Sequence, residues 1–181
     1  MSRMALGELH KLVWTALLAA TIAAGAHLIV PIGPVPVSMQ PLFIALAGFV
    51  LGPRRGVACM LLYLAAGFAG LPVFAGGNAG LGVLMGPTAG YLAGYVVLAL
   101  FTGLATGGQG GQLSFTRGVL AGVAGMIVVY ACGLLWLVYS LDMEPGRAMV
   151  VGVYPFALWD LIKMVFAVAC YRILVRYSIV R

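Results

Sequence analysis

Long apolar segments, almost free of charged residues, follow one another along the whole chain. Of its 181 residues, 64% are hydrophobic and only 8% are charged, whereas a typical soluble domain has about 25% charged residues. A chain this apolar cannot cover its own surface with polar groups. The sequence therefore predicts an integral membrane protein and argues against a soluble all-α domain.

The apolar segments predict six membrane helices within a single all-α domain over residues 1–181. The predicted helices span residues 12–30, 40–52, 56–70, 87–106, 116–141 and 155–176. The first is interpreted as a retained helix, because it is too long for the core of a signal peptide. The second and third are too short to cross about 30 Å of hydrocarbon comfortably.

Two uncharged irregular stretches interrupt these helices. Pro31, Pro34 and Pro36 end the first helix, and residues 71–86 are rich in glycine. Irregular backbone survives at membrane depth only where it is buried in protein or lines a cavity. Short, interrupted hydrophobic segments are also typical of a transporter's binding site. Residues 142–147, by contrast, are predicted to form an exposed loop.

The lysines and arginines are unevenly distributed between the two sides of such a bundle. If both termini face the cytoplasm, only Arg147 falls in an outer loop, and Lys163 lies within a helix. The other eight basic residues then lie at the cytoplasmic side: Arg3, Lys11, Arg54, Arg55, Arg117, Arg172, Arg176 and Arg181. Because positive residues favour that side, both termini are predicted to be cytoplasmic and residues 31–37 and 71–86 extracellular.

Only two charged residues lie well inside a predicted helix, Asp160 and Lys163. Three positions apart, they share a helix face and can form an ion pair. Each alone near the bilayer centre would cost about 2.5–3.5 kcal/mol, so each needs a partner or a wet cavity. Intramembrane ionisable groups usually have a function, which favours a ligand site. The alternative is an ion pair that only holds two helices together.

Several residues near the irregular stretches are further candidates for ligand binding. Asn78 can donate and accept hydrogen bonds and so bind a ureido or amide group, or it can form a turn. Gly76 and Gly77 allow close backbone approach to a ligand, or simply form turns. Gln40, beside Ser38, could contact a ligand or cap the second helix.

Aromatic residues near the same stretches could form apolar walls for a ring. The candidates are Phe74, Tyr91 and Trp159, although aromatic residues at helix ends are often interface anchors or core residues. His27 is interpreted as a packed or interfacial residue.

Small residues recur at four-residue spacing, which lets helices approach closely in lipid. The first helix carries Ala16, Ala20 and Ala24. Two further stripes contain Gly82, Gly86, Gly90 and Gly94, and then Gly118 and Gly122. Internal packing is sufficient to explain all three stripes.

The sequence motifs of common enzymes and metal sites are missing. No GxSxG, HExxH or P-loop motif occurs, and no two of the three cysteines form a CxxC pair. The predicted helices contain a single acidic residue, which excludes a two-aspartate intramembrane protease. The sequence thus predicts no catalytic residue, metal site, cofactor or enzyme activity, and its scattered basic residues argue against nucleic-acid binding.

Residues 34–96 carry four motifs that resemble, in order, those of the BioY family. They are PVPVSMQ (34–40, family PVPVTLQ), GPRRG (52–56), GLPVFAGG (70–77) and GPTAGYL (86–92, family GPTGGYL). Farther on, Pro155 and Phe156 followed by DLIK (160–163) resemble the family's PF…DxxK element. The departures are Ala89, where glycine is usual, and Trp159, where a smaller residue is common.

This resemblance implies a specific fold, ligand and set of partners. The family is the biotin-specific S component of energy-coupling-factor (ECF) transporters, a six-helix subunit that captures biotin from outside. The implied partners are a transmembrane coupling protein and two ATP-binding-cassette ATPases, which alone bind ATP. The implied location is the cell membrane of a prokaryote. Ala16, Ala20 and Ala24 resemble the AxxxA surface on which S components dock the coupling protein.

The candidate residues suit the chemistry of biotin. Asp160 and Asn78 could bind its ureido group, and Lys163 could bind its carboxylate or neutralise Asp160. Which residue meets which end of biotin stays open. The alternatives are an S component for another vitamin, an intramembrane enzyme, or a structural partner within a larger complex.

Overall fold

The computed structural model describes residues 3–31, 35–107 and 112–180. Most of this described part of the chain is helical. In chain order, the helices are α1 (Arg3–His27), α2 (Gln40–Phe68), α3 (Ala89–Thr106), α4 (Phe115–Ser140), α5 (Pro145–Gly152) and α6 (Tyr154–Arg176). Between α1 and α2, the short strands β1 (Ile29–Val30) and β2 (Val37–Ser38) pair antiparallel, with Ile29 opposite Ser38. Pro34 and Arg181 lie outside the described residues.

Helix α2 is a hairpin of two arms that fold back on each other at Gly52. Gly52 has φ 75° and ψ 179°, a conformation that breaks the helix and favours glycine. A Cβ atom on Gly56 would lie 3.0 Å from the Cα atom of Gly48. Near the open end, the side chains of Gln40 and Tyr63 are hydrogen-bonded, although 23 residues of straight helix would span about 35 Å. The prediction of two short helices separated by a turn is confirmed.

Small residues bring the helices close together. In α3, a side chain on Gly94 would collide with Val129 of α4, and one on Gly103 would collide with Pro53 at the α2 turn. In α4, Gly118 and Gly122 lie against α6 in the same way. The glycine stripes therefore pack helices, as small residues do in lipid. Gly82 and Gly86 precede α3 and take no part in this packing.

The bounds of α1 and the presence of α5 differ from the prediction. Helix α1 begins at Arg3 rather than residue 12 and ends at His27 rather than residue 30, because residues 29 and 30 form β1. Residues 145–152 form α5 where a loop was expected. Pro145 occupies the first turn of α5, a position that proline tolerates because no N–H bond is lost there.

The basic residues gather at one end of the bundle. Arg55, at the α2 turn, contacts Glu8 of α1 at 2.9 Å, and Arg117 of α4 donates to the Leu104 carbonyl of α3. We call this the basic end; it also holds Arg172 and Arg176 near the end of α6. The opposite end, with residues 35–41 and 71–88 and α5, is the glycine-rich end.

The length and composition of four helices suit a membrane. Among the described residues, these are Glu8–His27, Gln40–Phe68, Ala89–Thr106 and Phe115–Ser140. Since α2 is a hairpin and α6 is a further long helix of 23 residues, six long helical segments run between the two ends. The prediction of a six-helix membrane fold with some short helices is confirmed.

Candidate functional site

Asp160 and Lys163 form a buried ion pair on α6. Their side chains are each 7% exposed, and the Lys163 Nζ atom lies 2.7 Å from the Asp160 Oδ1 atom. The hydroxyl of Tyr130, on α4, donates to the other carboxylate oxygen at 2.7 Å. Each oxygen of Asp160 thus has a donor, which is how a buried carboxylate is stabilised.

A chain of hydrogen bonds continues from this pair towards α2. The Lys163 Nζ atom donates to the Ser38 carbonyl at 2.8 Å, and the Ser38 hydroxyl donates to the Gln40 Oε1 atom at 3.1 Å. The Gln40 Nε2 atom donates to the Tyr63 hydroxyl at 2.7 Å. That hydroxyl donates in turn to the Val73 carbonyl at 3.0 Å. We call this series, from Tyr130 to Val73, the polar chain.

The polar chain depends on how the segment before α2 is held. The Met39 N–H group lies within hydrogen-bonding distance of the Gly25 and Leu28 carbonyls at the end of α1. The β1–β2 pair fixes Ser38 opposite Ile29. The Gln40 side chain does not cap α2, since no side-chain cap occurs there. It crosses to the second arm of the hairpin instead.

The glycine-rich segment, residues 71–86, is anchored by Phe74. This side chain is 1% exposed and packs on Tyr63 and Phe68, with ring centres 5.6 and 5.2 Å away. Gly67 faces the Phe74 ring and has no room for a side chain. The Trp136 indole donates to the Gly86 carbonyl at 2.8 Å, which ties the end of the segment to α4.

A cavity of about 340 Å³ lies beside the glycine-rich segment, and we call it the large cavity to distinguish it from two small ones nearby. Pro36, Phe74, Asn78 and Thr88 contribute to its lining. Two cavities of about 20 and 30 Å³ lie deeper in the bundle, one at the Asp160–Lys163 pair and one at Gln40. The cavity at Gln40 shares Pro36, Phe74 and Thr88 with the large one, so these spaces lie side by side.

Of the candidate residues Gly76, Gly77 and Asn78, only Asn78 lines the large cavity. Asn78 lines the large cavity and is exposed, while its amide nitrogen donates to the Ala75 carbonyl at 2.7 Å. Gly76 and Gly77 have φ angles of 74° and 79° and do not contribute to the cavity lining described above. Their conformation fits the role of turn formers, because other residues rarely adopt it.

The remaining candidates are divided between the site and the surface. Tyr91 lines both small cavities, and its hydroxyl donates to the Gly152 carbonyl of α5 at 2.9 Å. Trp159 is 57% exposed and lines an apolar groove of about 620 Å³, which Ser38 and Lys163 also line. The His27 ring contacts the Pro72 carbonyl at 3.0 Å. The structure therefore brings Gln40, Asp160 and Lys163 together in one network and leaves Asn78 in the adjoining cavity.

Sequence reasoning missed three tyrosines at this site. Tyr130 contacts Asp160, Tyr63 contacts Gln40, and Tyr95 lines both small cavities. The sequence did carry a signal for them: a tyrosine within an apolar helix has a hydroxyl that needs a hydrogen-bonding partner. The sequence could not say which polar residue each hydroxyl would meet.

The alanine stripe of α1 lies on the outer surface of the bundle. Ala16, Ala20 and Ala24 are exposed, while Leu18 and Ile22 of the same helix are buried. The exposed stripe continues an apolar surface that includes Leu12, Val13 and Leu17. Unlike the two glycine stripes, this one does not pack helices of the chain itself.

The described part of the chain contains no cluster of side chains that could bind a metal ion. No group of three or more histidine, cysteine, aspartate or glutamate side chains occurs there. Cys59, Cys132 and Cys170 are free thiols. What the glycine-rich end offers is a set of hydrogen-bonding and charged groups beside a cavity, which is the chemistry of ligand binding.

Comparisons with known proteins agree with this architecture. The sequence model of the BioY family matches residues 1–179. The biotin transporter BioY of Thermotoga maritima is 38% identical over 159 residues, covering 88% of this chain and 92% of that protein. The biotin transporter BioY of Rhizobium etli is 39% identical over 168 residues, covering 87% and 89%.

A solved structure has the same fold. It is the crystal structure of the S component for biotin from an ECF-type ABC transporter, with a TM-score of 0.85 and 27% sequence identity. The match covers 96% of this chain and 94% of that one. By sequence along nearly its whole length and by fold, the chain belongs to the BioY family, whose members are transporter S components and not enzymes, as the sequence predicted.

Proposed function

We propose that this chain captures biotin from the extracellular side of a prokaryotic cell membrane for uptake. It does so as the substrate-binding subunit of an ECF transporter, with a coupling protein and two ATP-binding-cassette ATPases that bind the ATP. The supporting observation is the buried Asp160–Lys163 pair beside the cavities of the glycine-rich end. The names of the relatives and of the solved S component supply the ligand class.

Biotin matches the groups that converge on this end. Its fused ring and acyl chain need apolar walls, which Phe74 and Tyr91 provide. Its ureido group needs acceptors and donors, which Asp160, Gln40 and Asn78 provide. Lys163 lies 2.7 Å from Asp160, so it meets the same end of biotin and there neutralises the Asp160 carboxylate. Gly76 and Gly77 shape the loop that carries Asn78 and Phe74.

Binding requires the deeper cavities to open. The large cavity, at about 340 Å³, lies within the range of roughly 300–1,000 Å³ that small-molecule sites occupy. The cavity at Asp160, about 20 Å³, holds about one water molecule. We therefore expect biotin to enter the large cavity and to displace Pro36, Phe74 and Thr88, which form the wall it shares with the cavity at Gln40.

Equilibrium binding to the purified chain alone tests the ligand assignment. Biotin should bind the isolated chain in detergent, because the proposed site lies wholly within it. Unlabelled riboflavin and thiamine should fail to displace radiolabelled biotin. Tight binding of another vitamin, with no binding of biotin, would show that the ligand assignment is wrong although the S-component fold is right.

The exposed alanine stripe is the proposed docking surface for the coupling protein. Leucine at Ala20 or Ala24 adds bulk that keeps a partner helix from close approach, so either variant should lose biotin uptake. Biotin binding by the purified variant should stay at the wild-type level, because the stripe lies outside the cavities. Co-purification of Ala20→Leu with the coupling protein at wild-type yield would refute this docking surface.

A control for the position of the docking surface is Leu120→Ala, the reverse change on another exposed helix face. Leu120 is 63% exposed on α4 and lies on a different helix from the stripe. This variant should retain both co-purification and uptake.

A further inference from the structure

The basic end contains a cavity that the proposed biotin site does not use. Its volume is about 280 Å³, and it lies between the segment before α4 and the end of α6. Its lining consists of Gln112, Leu113, Tyr171, Arg172, Val175 and Arg176. Two arginines and a glutamine from separate segments therefore line one space at the end of a membrane bundle.

No acidic residue of the chain is available to these two arginines. The whole sequence has four acidic residues. Glu8 and Asp160 are engaged in the ion pairs described above, and Asp142 and Glu144 lie just before α5, at the glycine-rich end. Among the described residues, neither arginine of the cavity takes part in an ion pair. No acidic side chain in the described part of the chain therefore compensates the positive charge of the cavity.

The helix dipole explains only part of this arrangement. Arg176 lies in the last turn of α6, where a positive charge is stabilised by the carbonyl end of the helix. That effect does not require Arg172, one turn earlier, to line the same cavity. The helix dipole also does not explain why a third polar residue, Gln112 from the segment before α4, lines this cavity. The convergence of three such groups indicates an external anion.

The position of the cavity indicates which anion. The basic end of a membrane bundle lies at the level of the lipid headgroups, and basic pockets between membrane helices bind anionic headgroups there. A guanidinium group can donate two parallel hydrogen bonds to a phosphate. Leu113 and Val175 add an apolar surface on which the glycerol and upper acyl chain can lie. We propose that this cavity binds the headgroup of an anionic phospholipid from the cytoplasmic leaflet.

Native mass spectrometry of the detergent-purified full chain tests this site. The probes are phosphatidylglycerol and phosphatidylcholine with identical acyl chains. Phosphatidylglycerol should bind more tightly at one site. Arg172→Gln and Arg176→Gln should each weaken that binding about fivefold, the effect expected of one basic residue near an anionic headgroup.

The matched control is Arg54→Gln. Arg54 is exposed at the same end of the bundle and does not line the cavity, so this variant loses the same charge without losing a ligand. It should bind phosphatidylglycerol like the wild type. An equal loss in Arg54→Gln would show a general surface potential and overturn the site. Melting temperatures measured without added lipid verify that all three variants are folded.

Two further outcomes would also overturn the proposal. If glycerol phosphate competes as well as the lipid does, the site binds a free phosphate and not a membrane headgroup. If the two arginine variants keep lipid binding but no longer co-purify with the coupling protein, the arginines contact an acidic surface of that protein. Neither result bears on biotin binding, which is measured separately at the other end.

Discussion

The glycine-rich end and the basic end share the same helices but hold them together by different contacts. At the glycine-rich end, side-chain hydrogen bonds connect α4, α6 and both arms of α2 through the polar chain. At the basic end, backbone lies against backbone: Gly103 of α3 packs on Pro53, and Gly56 packs on Gly48 across the α2 hairpin. The first end has cavities among its polar contacts. At the second end, α3 and the two arms of α2 are in direct contact, and the cavity there lies apart from them, between the segment before α4 and the end of α6.

This difference teaches how one bundle can hold a ligand and still keep its shape. A hydrogen bond between side chains can be exchanged for a hydrogen bond to a ligand at little net cost. A backbone contact across a glycine cannot be exchanged, because a close-packed region offers no space to move into. We therefore expect ligand-dependent change to be confined to the glycine-rich end. Four experiments examine this contrast, from the largest expected effect to the smallest.

The largest effect is expected for Asp160→Asn. Asparagine keeps the size of the side chain but removes its charge, so hydrogen bonds from biotin lose a charged acceptor. Biotin affinity should fall by about 1.5–3 kcal/mol, or roughly 10- to 150-fold, in an equilibrium binding assay.

The control for Asp160 is Asp142→Asn, the same chemical change at an exposed residue just before α5. Asp142 has φ 47°, which asparagine also tolerates. The Asp142→Asn variant should bind biotin with the affinity of the wild type. If Asp160→Asn binds biotin as tightly as this control, Asp160 is part of the scaffold only.

At the basic end, Gly103→Ala should destabilise the protein. The added Cβ atom would lie 2.5–2.6 Å from backbone atoms of Gly52 and Pro53, which cannot rotate away as a side chain can. The expected loss is about 1–3 kcal/mol, measured as a lower melting temperature in detergent. Biotin affinity of the remaining folded protein should not change.

Gly82→Ala provides the comparison for Gly103. No atom lies within 4 Å of the position of its added Cβ, so the melting temperature should stay near that of the wild type. Equal melting temperatures for the two variants would mean that the basic end is not close-packed.

The third experiment is Tyr63→Phe, which removes the hydroxyl that the polar chain needs and keeps the aromatic ring of residue 63. The Gln40 amide and the Val73 carbonyl lose their shared partner, at a cost of about 1 kcal/mol. Hydrogen exchange should become faster in residues 71–86 and stay unchanged at the α2 turn. Tyr139→Phe removes a hydroxyl from a side chain that is 82% exposed, and it should leave both regions unchanged. Faster exchange at the α2 turn in Tyr63→Phe would contradict the separation of the two ends.

The smallest effect is a change in chemical labelling. Ala79 lines the large cavity, and Ala79→Cys is made with Cys59, Cys132 and Cys170 replaced by alanine. A membrane-impermeant maleimide should label it in intact cells, and saturating biotin should slow this labelling several-fold. If labelling occurs only after the cells are broken open, residues 71–86 face the cytoplasm and the predicted topology is wrong.

Gly146→Cys is the control for labelling at the same end. Gly146 is exposed on α5, with open space around its Cβ position. It should be labelled in intact cells at a rate independent of biotin. A biotin effect of equal size at both positions would show that the whole end responds and not the cavity alone.

Most of the fold could be predicted because each local signal was independent of the others. Apolar length predicted the membrane helices, including the two short ones that form the arms of α2. The missed helix, α5, is only eight residues long, so its pattern was too short to distinguish from a loop. The early start of α1 was missed because Arg3, Glu8, His10 and Lys11 interrupt the apolar pattern there. In the structure, Glu8 and Lys11 pair one turn apart on the helix.

The candidate site was predicted less completely than the fold. Asp160 and Lys163 could be paired from their spacing alone, since both lie on one helix face. The contact between Gln40 and Tyr63 could not, because it depends on two arms that meet only after the chain reverses. Asn78 was assigned to the same constellation as Asp160, but the structure places it in the neighbouring cavity.

The sequence by itself determined the membrane setting, the number of long helical segments, the buried ion pair and the family. These properties follow from composition, spacing along one helix and short motifs, which are all local. Tertiary structure decided which face of α1 stays exposed, which hydroxyl meets Asp160, and where the cavities lie. Each of these depends on the relative placement of separate helices, and that placement is set by the close contacts that glycines such as Gly94 and Gly103 allow.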